Sequence, residues 1–311
     1  MGHVVFTISI LMWFLFAPCY HSLVEPIDGG SNPLTNEKKT NLSMPKPFRL
    51  APGAKLQDVG GNTISHYAMW HTEPDHHHGL RAEISIWGSP NQLSSQESGA
   101  SIQMYCQDGG HSSLIEAGFH VSPSLYHNRD VRFFTYSTKD IKLAGCYNLH
   151  CKGFVAAKGA ALVPGQAVAP PSVYGEVDRY IRLSLNEDRN TGDWVLYRHD
   201  LETPSFLGHF PKELCPTTTR IQALTGFVNY LNTTTGPPMG SGHFPDDEDA
   251  KRSAYFKHVK MYDSKGHAWD PLTDPMFKTV DKPDCYRATD FLLNFKKGYT
   301  FYYGGPGGCV G

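Results

Sequence analysis

The chain has 311 residues, 40% of them hydrophobic and only 19% charged, with 30 Gly and 22 Pro. It is too apolar to be disordered and too rich in turn formers to be a helical bundle. A net charge of −2 gives no electrostatic case for nucleic acid or an anionic membrane as partner.

Val4 to Phe16 is a mostly apolar stretch followed by Ala17-Pro18-Cys19. Small residues three positions and one position before the cut predict cleavage after Cys19. The run is short for a membrane span. The sequence therefore predicts a signal peptide over 1–19 and a secreted, extracellular protein with no membrane association afterwards. Residues 20–62 are polar, rich in Pro and Gly and without periodicity, and are expected to form a flexible leader. A single domain is expected over 63–311.

From there the pattern is strand after strand. Ser65–Trp70 and Leu80–Trp87 bracket a turn-rich segment, Glu73 to Gly79, and are expected to form a hairpin. Further strands are predicted over 101–106, 114–121, 131–138, 154–162, 179–185, 194–199, 220–231, 255–262 and 299–303. Asp108-Gly109-Gly110, Pro164-Gly165, Asn190-Thr191-Gly192-Asp193 and Ser264-Lys265-Gly266 punctuate them. No amphipathic helix stands out, and many short strands at regular spacing point to a sandwich or barrel.

Six cysteines remain once Cys19 is removed: Cys106, Cys146, Cys151, Cys215, Cys285 and Cys309. An even number in an oxidising compartment suggests disulfides. Cys146 and Cys151 suit a small local loop, and Cys285 with Cys309 would tie down the C-terminal segment. Cys106 and Cys215 are left either as a pair or as two buried thiols. The sequons at Asn41 and Asn232 agree with secretion.

Several constellations carry little. His76-His77-His78 sits on a predicted turn, where three consecutive side chains cannot face one ion, so no metal is expected. No Gly-x-Ser-x-Gly elbow is present, and Gly304 to Gly308 has no Lys and opens no helix, so no nucleotide or other cofactor is expected. Glu116 is the residue of interest. In Ser112-Ser113-Leu114-Ile115-Glu116-Ala117-Gly118-Phe119-His120-Val121, period two puts Ile115, Ala117, Phe119 and Val121 on one face and Glu116 on the other, beside Gly118.

That run is followed in order by Gly145-Cys146-Tyr147-Asn148-Leu149-His150-Cys151-Lys152-Gly153-Phe154-Val155, Met239-Gly240-Ser241-Gly242-His243-Phe244-Pro245 and Phe301-Tyr302-Tyr303-Gly304-Gly305-Pro306-Gly307-Gly308. Together they resemble the neprosin family of secreted plant glutamic peptidases, over roughly His66 to the C-terminus. The resemblance implies an all-β fold, an antiparallel β-sandwich of two large curved sheets, akin to fungal glutamic peptidases and lectin-like sandwiches. It implies cleavage after proline in acid by two glutamates, and disulfides Cys146–Cys151 and Cys285–Cys309. The first glutamate maps onto Glu116. The second is expected at Gly226, in Ile221-Gln222-Ala223-Leu224-Thr225-Gly226-Phe227-Val228-Asn229, and no acid occurs between Glu213 and Asp246. The family's activation propeptide is expected to be missing or reduced to a tail.

A two-carboxylate peptidase needs one group ionised to activate water and one protonated to polarise the carbonyl. With glycine at the second position, the sequence predicts a monomeric, proline-directed endopeptidase-like protein with an incomplete dyad and weak or absent hydrolysis of proline-containing peptides. Gln103 is a candidate to orient water or polarise a carbonyl beside Glu116. Gln222, Leu224 and Tyr230, which share a strand face with Gly226, are expected to line the cleft. The rival readings are a peptide- or glycan-binding module without catalysis, and an active enzyme with a substituted acid such as Glu83 or Glu176.

Overall fold

The computed structural model describes residues 63–310, apart from 109–110, 142, 218, 246–247 and 272–275. The predicted signal peptide, the leader over 20–62 and Asn41 lie outside these residues. Asn232 is exposed in the turn that follows a strand.

The strands, in chain order, are β1 (Thr63–Thr72), β2 (Gly79–Ser85), β3 (Gln96–Asp108), β4 (His111–Val121), β5 (Arg132–Thr138), β6 (Cys146–Tyr147), β7 (Val155–Ala156), β8 (Tyr180–Glu187), β9 (Trp194–Arg198), β10 (Ser205–Phe210), β11 (Arg220–Leu231), β12 (Ala254–Tyr262), β13 (Ala268–Trp269), β14 (Met276–Val280), β15 (Arg287–Ala288), β16 (Leu292–Asn294) and β17 (Gly298–Gly304). One helical turn, α1 (Pro123–Tyr126), follows β4, and a 3-10 turn spans Lys212–Leu214. No helix among the described residues is long and apolar enough to cross a membrane.

Two large antiparallel sheets result. The seven-stranded sheet runs β14-β1-β11-β3-β4-β5-β6, and the ten-stranded sheet includes the path β15-β17-β12-β2-β8-β9-β10-β7. Their facing sides supply the core. Ile102, Met104, Ile115, Ala117 and Phe133 come from the first, and Leu80, Ile84, Leu183, Leu196 and Phe256 from the second. Period-two alternation along β4 aims Ile115, Ala117, Phe119 and Val121 inward, as the sequence predicts. The fold is the all-β, two-sheet antiparallel sandwich expected.

The expected hairpin over 65–87 does not form. β1 pairs with β11 and β14 in one sheet, whereas β2 pairs with β8 and β12 in the other. The segment between them passes from one sheet to the other and is fastened to the start of β11. The Asp75 N–H donates to Arg220 O at 3.0 Å, and the Arg220 N–H donates back to Asp75 O at 2.9 Å. Arg220 also donates from Nη1 to His77 O at 2.9 Å and reaches across to Glu187 on β8 at 2.7 and 3.0 Å. Burial alone would push the Glu187 carboxyl up, but hydrogen bonds from Arg220 and His78 hold it below the usual range. The histidine run is absorbed here: His77 Nε2 meets Glu73 O at 2.8 Å, and His78 Nδ1 meets Glu187 Oε2 at 2.9 Å. The predicted strand over 154–162 shrinks to the two residues of β7, while β10, β14 and the short strands β6, β13, β15 and β16 are additional to the predicted set.

Three disulfides close the fold: Cys106–Cys215, Cys146–Cys151 and Cys285–Cys309. They are compatible with an extracellular protein. The first resolves the pairing left open by the sequence and links β3 to the segment entering β11 across a separation of 109 residues. Replacing both of its cysteines by alanine is expected to cost about 4 kcal/mol, because so long a loop gains most from closure. A thermal melt should fall by roughly 10 °C. An unchanged melting temperature would mean the loop is held closed by packing alone.

Candidate active site

The side of the seven-stranded sheet facing away from the ten-stranded sheet is built by cross-strand register. On β3 and β4, Gln103 stands opposite Glu116, Ser101 opposite Gly118, and Gly99 opposite His120. On β11, Ala223, Thr225, Phe227 and Asn229 stand opposite Gln103, Ser101, Gly99 and Glu97. On β5, Tyr136 and Phe134 stand opposite Glu116 and Gly118. Directly paired residues project to the same face, so these side chains share one surface.

Glu116 is buried at its centre, with 0% exposure. Its Oε2 accepts from Ser101 Oγ and from Gln103 Nε2, both at 2.9 Å. The Gln103 amide is oriented by its other end, where Oε1 accepts from Thr225 Oγ1 at 2.9 Å and Tyr105 OH at 3.1 Å. Two hydroxyl donors require the carbonyl oxygen on that side, which leaves the NH₂ for Glu116. The carboxylate and amide therefore form one set unit, supported by three hydroxyls on β3 and β11.

Farther along the same surface lies a second polar cluster. Glu97 Oε1 meets His120 Nδ1 at 2.6 Å, and its Oε2 accepts from Asn229 Nδ2 at 2.7 Å. His120 Nε2 meets Tyr126 OH at 2.8 Å. Glu97 is six residues from Gln103 on β3, about 20 Å at 3.3 Å per residue. That is too far to share a proton or a water with Glu116. Between the clusters, the His120 ring stacks on Phe134 at 4.1 Å, and Phe134 meets Phe227 edge-on at 6.0 Å. This sheet face thus joins the carboxylate–amide unit to a group of aromatic rings, and both are buried.

Gly118 is explained by strand packing. A Cβ there would lie 2.0 Å from Ala100 O and 2.6 Å from Ser101 Cα. It is the neighbouring strand, not a ligand, that excludes a side chain.

The position expected to lack the second glutamate needs correction. Gly226 pairs with Ala100 and Ala68, so it lies on the inward face. A Cβ on it would sit 2.2 Å from Tyr303 Cδ2 and 2.3 Å from Cε2, inside the inter-sheet core. Gln222, Leu224 and Tyr230 share that inward face and are buried, so they do not line a surface with Glu116. The β11 residue that reaches the Glu116–Gln103 unit is Thr225. The substitute acids are also placed elsewhere. Glu83 lies on the ten-stranded sheet, held by Arg182 and by His258 at 3.0 Å, and Glu176 is exposed in a turn.

Sequence reasoning singled out Glu116 and Gln103, which the register brings together. It missed Ser101 and Tyr105, although both are two residues from Gln103 and were legible by alternation. Thr225 had no such signal, since it enters through strand pairing. Among the described residues, no group of three or more His, Cys, Asp or Glu side chains is placed to hold a metal ion.

An antiparallel sandwich with a buried carboxylate–amide unit on one outward sheet face is the class that fold and site define. A family model described as Neprosin matches residues 94–306. The match covers more than half of the chain, which belongs to the neprosin family and is peptidase-like. Among solved structures the chain is similar to Scytalido-glutamic peptidase with a transition state analog inhibitor, at 10% identity over 78% of this chain and 98% of that one, with a TM-score of 0.43. It is also similar to the same peptidase with a peptide-based transition state analog, at 9% identity, the same coverage and a TM-score of 0.41. A third is SCP-B, a member of the Eqolisin family of peptidases in complex with a tripeptide, at 9% identity over 78% of this chain and 98% of that one, with a TM-score of 0.37.

Proposed function

We propose that this is a secreted, neprosin-type, proline-directed endopeptidase-like protein whose two-glutamate dyad is incomplete, so that peptide hydrolysis is weak or absent. The observation that carries this reading is the β11 side of the Glu116 neighbourhood: Glu116 Oε2 accepts from the Gln103 amide and the Ser101 hydroxyl, and at the far side of that amide β11 presents Thr225 rather than a carboxylate. A carboxylate accepts a proton from water, and a primary amide donates hydrogen bonds to a carbonyl oxygen. An amide cannot deliver the proton that a carboxylic acid supplies to the leaving group. Loss of a positioned acid costs on the order of 10²–10⁴ in rate.

The test is incubation of the purified secreted protein with proline-containing peptides at acid pH, products read by mass spectrometry. Glu116→Gln serves as control. Trace cleavage after proline that disappears in the control is the expected result, with peptide binding retained. Vigorous turnover would overturn the incomplete-dyad reading. Cleavage unchanged by Glu116→Gln would remove Glu116 from the chemistry.

A further inference from the structure

We propose that the Cys146–Cys151 disulfide is a redox latch: an external dithiol opens it and releases Tyr147 and Asn148 from the sheet face that holds Glu116. Its effect on peptide binding rests on the function proposed above; the opening itself does not.

Register and hydrogen bonds tie the loop to that face. Tyr147 on β6 stands opposite Tyr136 on β5, which stands opposite Glu116 on β4 and, beyond it, Gln103 on β3. One row therefore runs from the loop to the carboxylate–amide unit. Tyr147 is two strands from Glu116, about 10 Å at 4.8 Å per strand. The Tyr147 ring centroid is 4.7 Å from that of Tyr136 and 6.0 Å from that of His120. Asn148 exchanges bonds with β5: its N–H donates to Thr135 O at 2.8 Å, and its Oδ1 accepts from the Thr135 N–H at 3.2 Å. Its Nδ2 donates at 2.9 Å to Tyr126 OH, the hydroxyl that meets His120.

Access, cost and local anchorage single out this bond among the three. Cys151 is exposed, whereas Cys106 and Cys215 are both buried, and Cys309 is buried beside a half-buried Cys285. A thiolate must reach a sulfur to displace its partner, so an exposed bond exchanges first. Stabilisation by a disulfide grows with the logarithm of the loop it closes. The separations are 5 residues here, against 24 and 109 for the other two. Opening the shortest loop therefore sacrifices the least and leaves the sandwich folded. Little else holds the released segment. β6 is an edge strand of two residues. Asn148 sits at φ 52°, a left-handed conformation that a non-glycine residue keeps only when its surroundings impose it.

The exchange balances with a dithiol as co-reactant. One of its thiolates attacks Cys151 Sγ, the bond to Cys146 breaks, and Cys146 leaves as a thiolate that takes up a proton. The second thiol of the reductant then displaces Cys151 and closes the reductant's own disulfide. Two electrons pass to the protein, and the dithiol is oxidised. Tyr147 and Asn148 lose their covalent tether, and the Tyr126 hydroxyl loses the amide that donates to it.

Titration of the purified full chain with dithiothreitol, quenched by iodoacetamide and read by peptide mass spectrometry, tests this. Cys146 and Cys151 should be alkylated while the other cysteines stay protected and the melt stays cooperative. In that state amide exchange at Asn148 should quicken about tenfold or more, as local opening exposes it. The near-UV signal of the tyrosines should fall. Affinity for a proline-containing peptide should drop about tenfold, since two side chains must be ordered again on binding. A Cys146→Ser/Cys151→Ser variant should show the same exchange and affinity without reductant, and no further response to it. Earlier alkylation of another pair, or exchange and tyrosine signal unchanged once this pair is alkylated, would overturn the latch. So would an unchanged affinity when both residues are released. Absence of peptide binding by the oxidised protein would count against the proposed function, and exchange and tyrosine signal would then decide the latch.

Discussion

Gly226→Glu is expected to destabilise the protein severely rather than to complete a catalytic pair. The first atom of any side chain at 226 would be 2.2 Å from the Tyr303 ring, which is itself buried. The register partners of Gly226, Ala68 on β1 and Ala100 on β3, are themselves buried, so a larger side chain at 226 meets packed core and the Tyr303 ring cannot move aside without opening it. Overpacking of this kind costs about 1–3 kcal/mol, and an unpaired buried carboxylate adds several more. A melt followed by circular dichroism should drop by at least about 10 °C, at roughly 2–4 °C per kcal/mol for a domain of this size. A variant that melts with the parent would show that the 226 side chain escapes the core, and the assignment of faces on β11 would then be wrong.

Thr225→Glu is the substitution expected to raise activity. Its side chain projects onto the surface that holds Glu116, and the Thr225 hydroxyl already bonds to Gln103 at 2.9 Å. A carboxyl in its place would sit across the amide from Glu116. Two carboxyl groups coupled through one amide ionise unequally, one keeping its proton while the other accepts one from water. Cleavage of proline-containing peptides in acid should increase by about 10²–10⁴ over the parent. Adding Glu116→Gln to the same variant should abolish the gain. The comparison needs a folded protein, so the melt and the assay are run together. A folded Thr225→Glu variant with no gain in cleavage would show that a second carboxylate at this position does not rebuild the pair.

The pairing of these two substitutions separates adjacent residues by face. Both positions are buried, Thr225 at 1% exposure, so the melt is compared for both variants and only position 225 is read for chemistry. A catalytic deficit caused by general disruption of β11 would affect both alike.

Much of the fold was legible because alternation is a local property. The inward set on β4 follows from the order of Ile115, Glu116, Ala117, Gly118 and Phe119 alone. The boundaries of β11 were likewise clear, since turn formers bracket an uninterrupted run of strand-forming residues. The turn signals at Asp108 and Asn190 sit between strands that do pair, β3 with β4 and β8 with β9. Glu116 and Gln103 could be singled out for the same reason, as polar residues recurring on the non-core face of apolar strands.

What failed were statements about partners. Turn residues between 72 and 79 mark a change of direction but do not say in which sheet the next strand will lie. β1 finds β11 more than 150 positions away, and β2 goes to the opposite sheet. The reading of Gly226 failed more instructively. Its parity with Gln222, Leu224, Val228 and Tyr230 was right, yet that face looks at Tyr303 and not at Glu116. All but the last residue of β11 are buried, so the strand is covered on both faces and hydrophobic alternation no longer distinguishes them. Glycine adds no polarity of its own to mark its side. Only the register of β11 against β3, residues over 100 apart in the chain, decides which of Thr225 and Gly226 meets the Glu116–Gln103 unit. Local alternation is written in consecutive residues, whereas facing and neighbourhood arise from hydrogen bonds between distant strands.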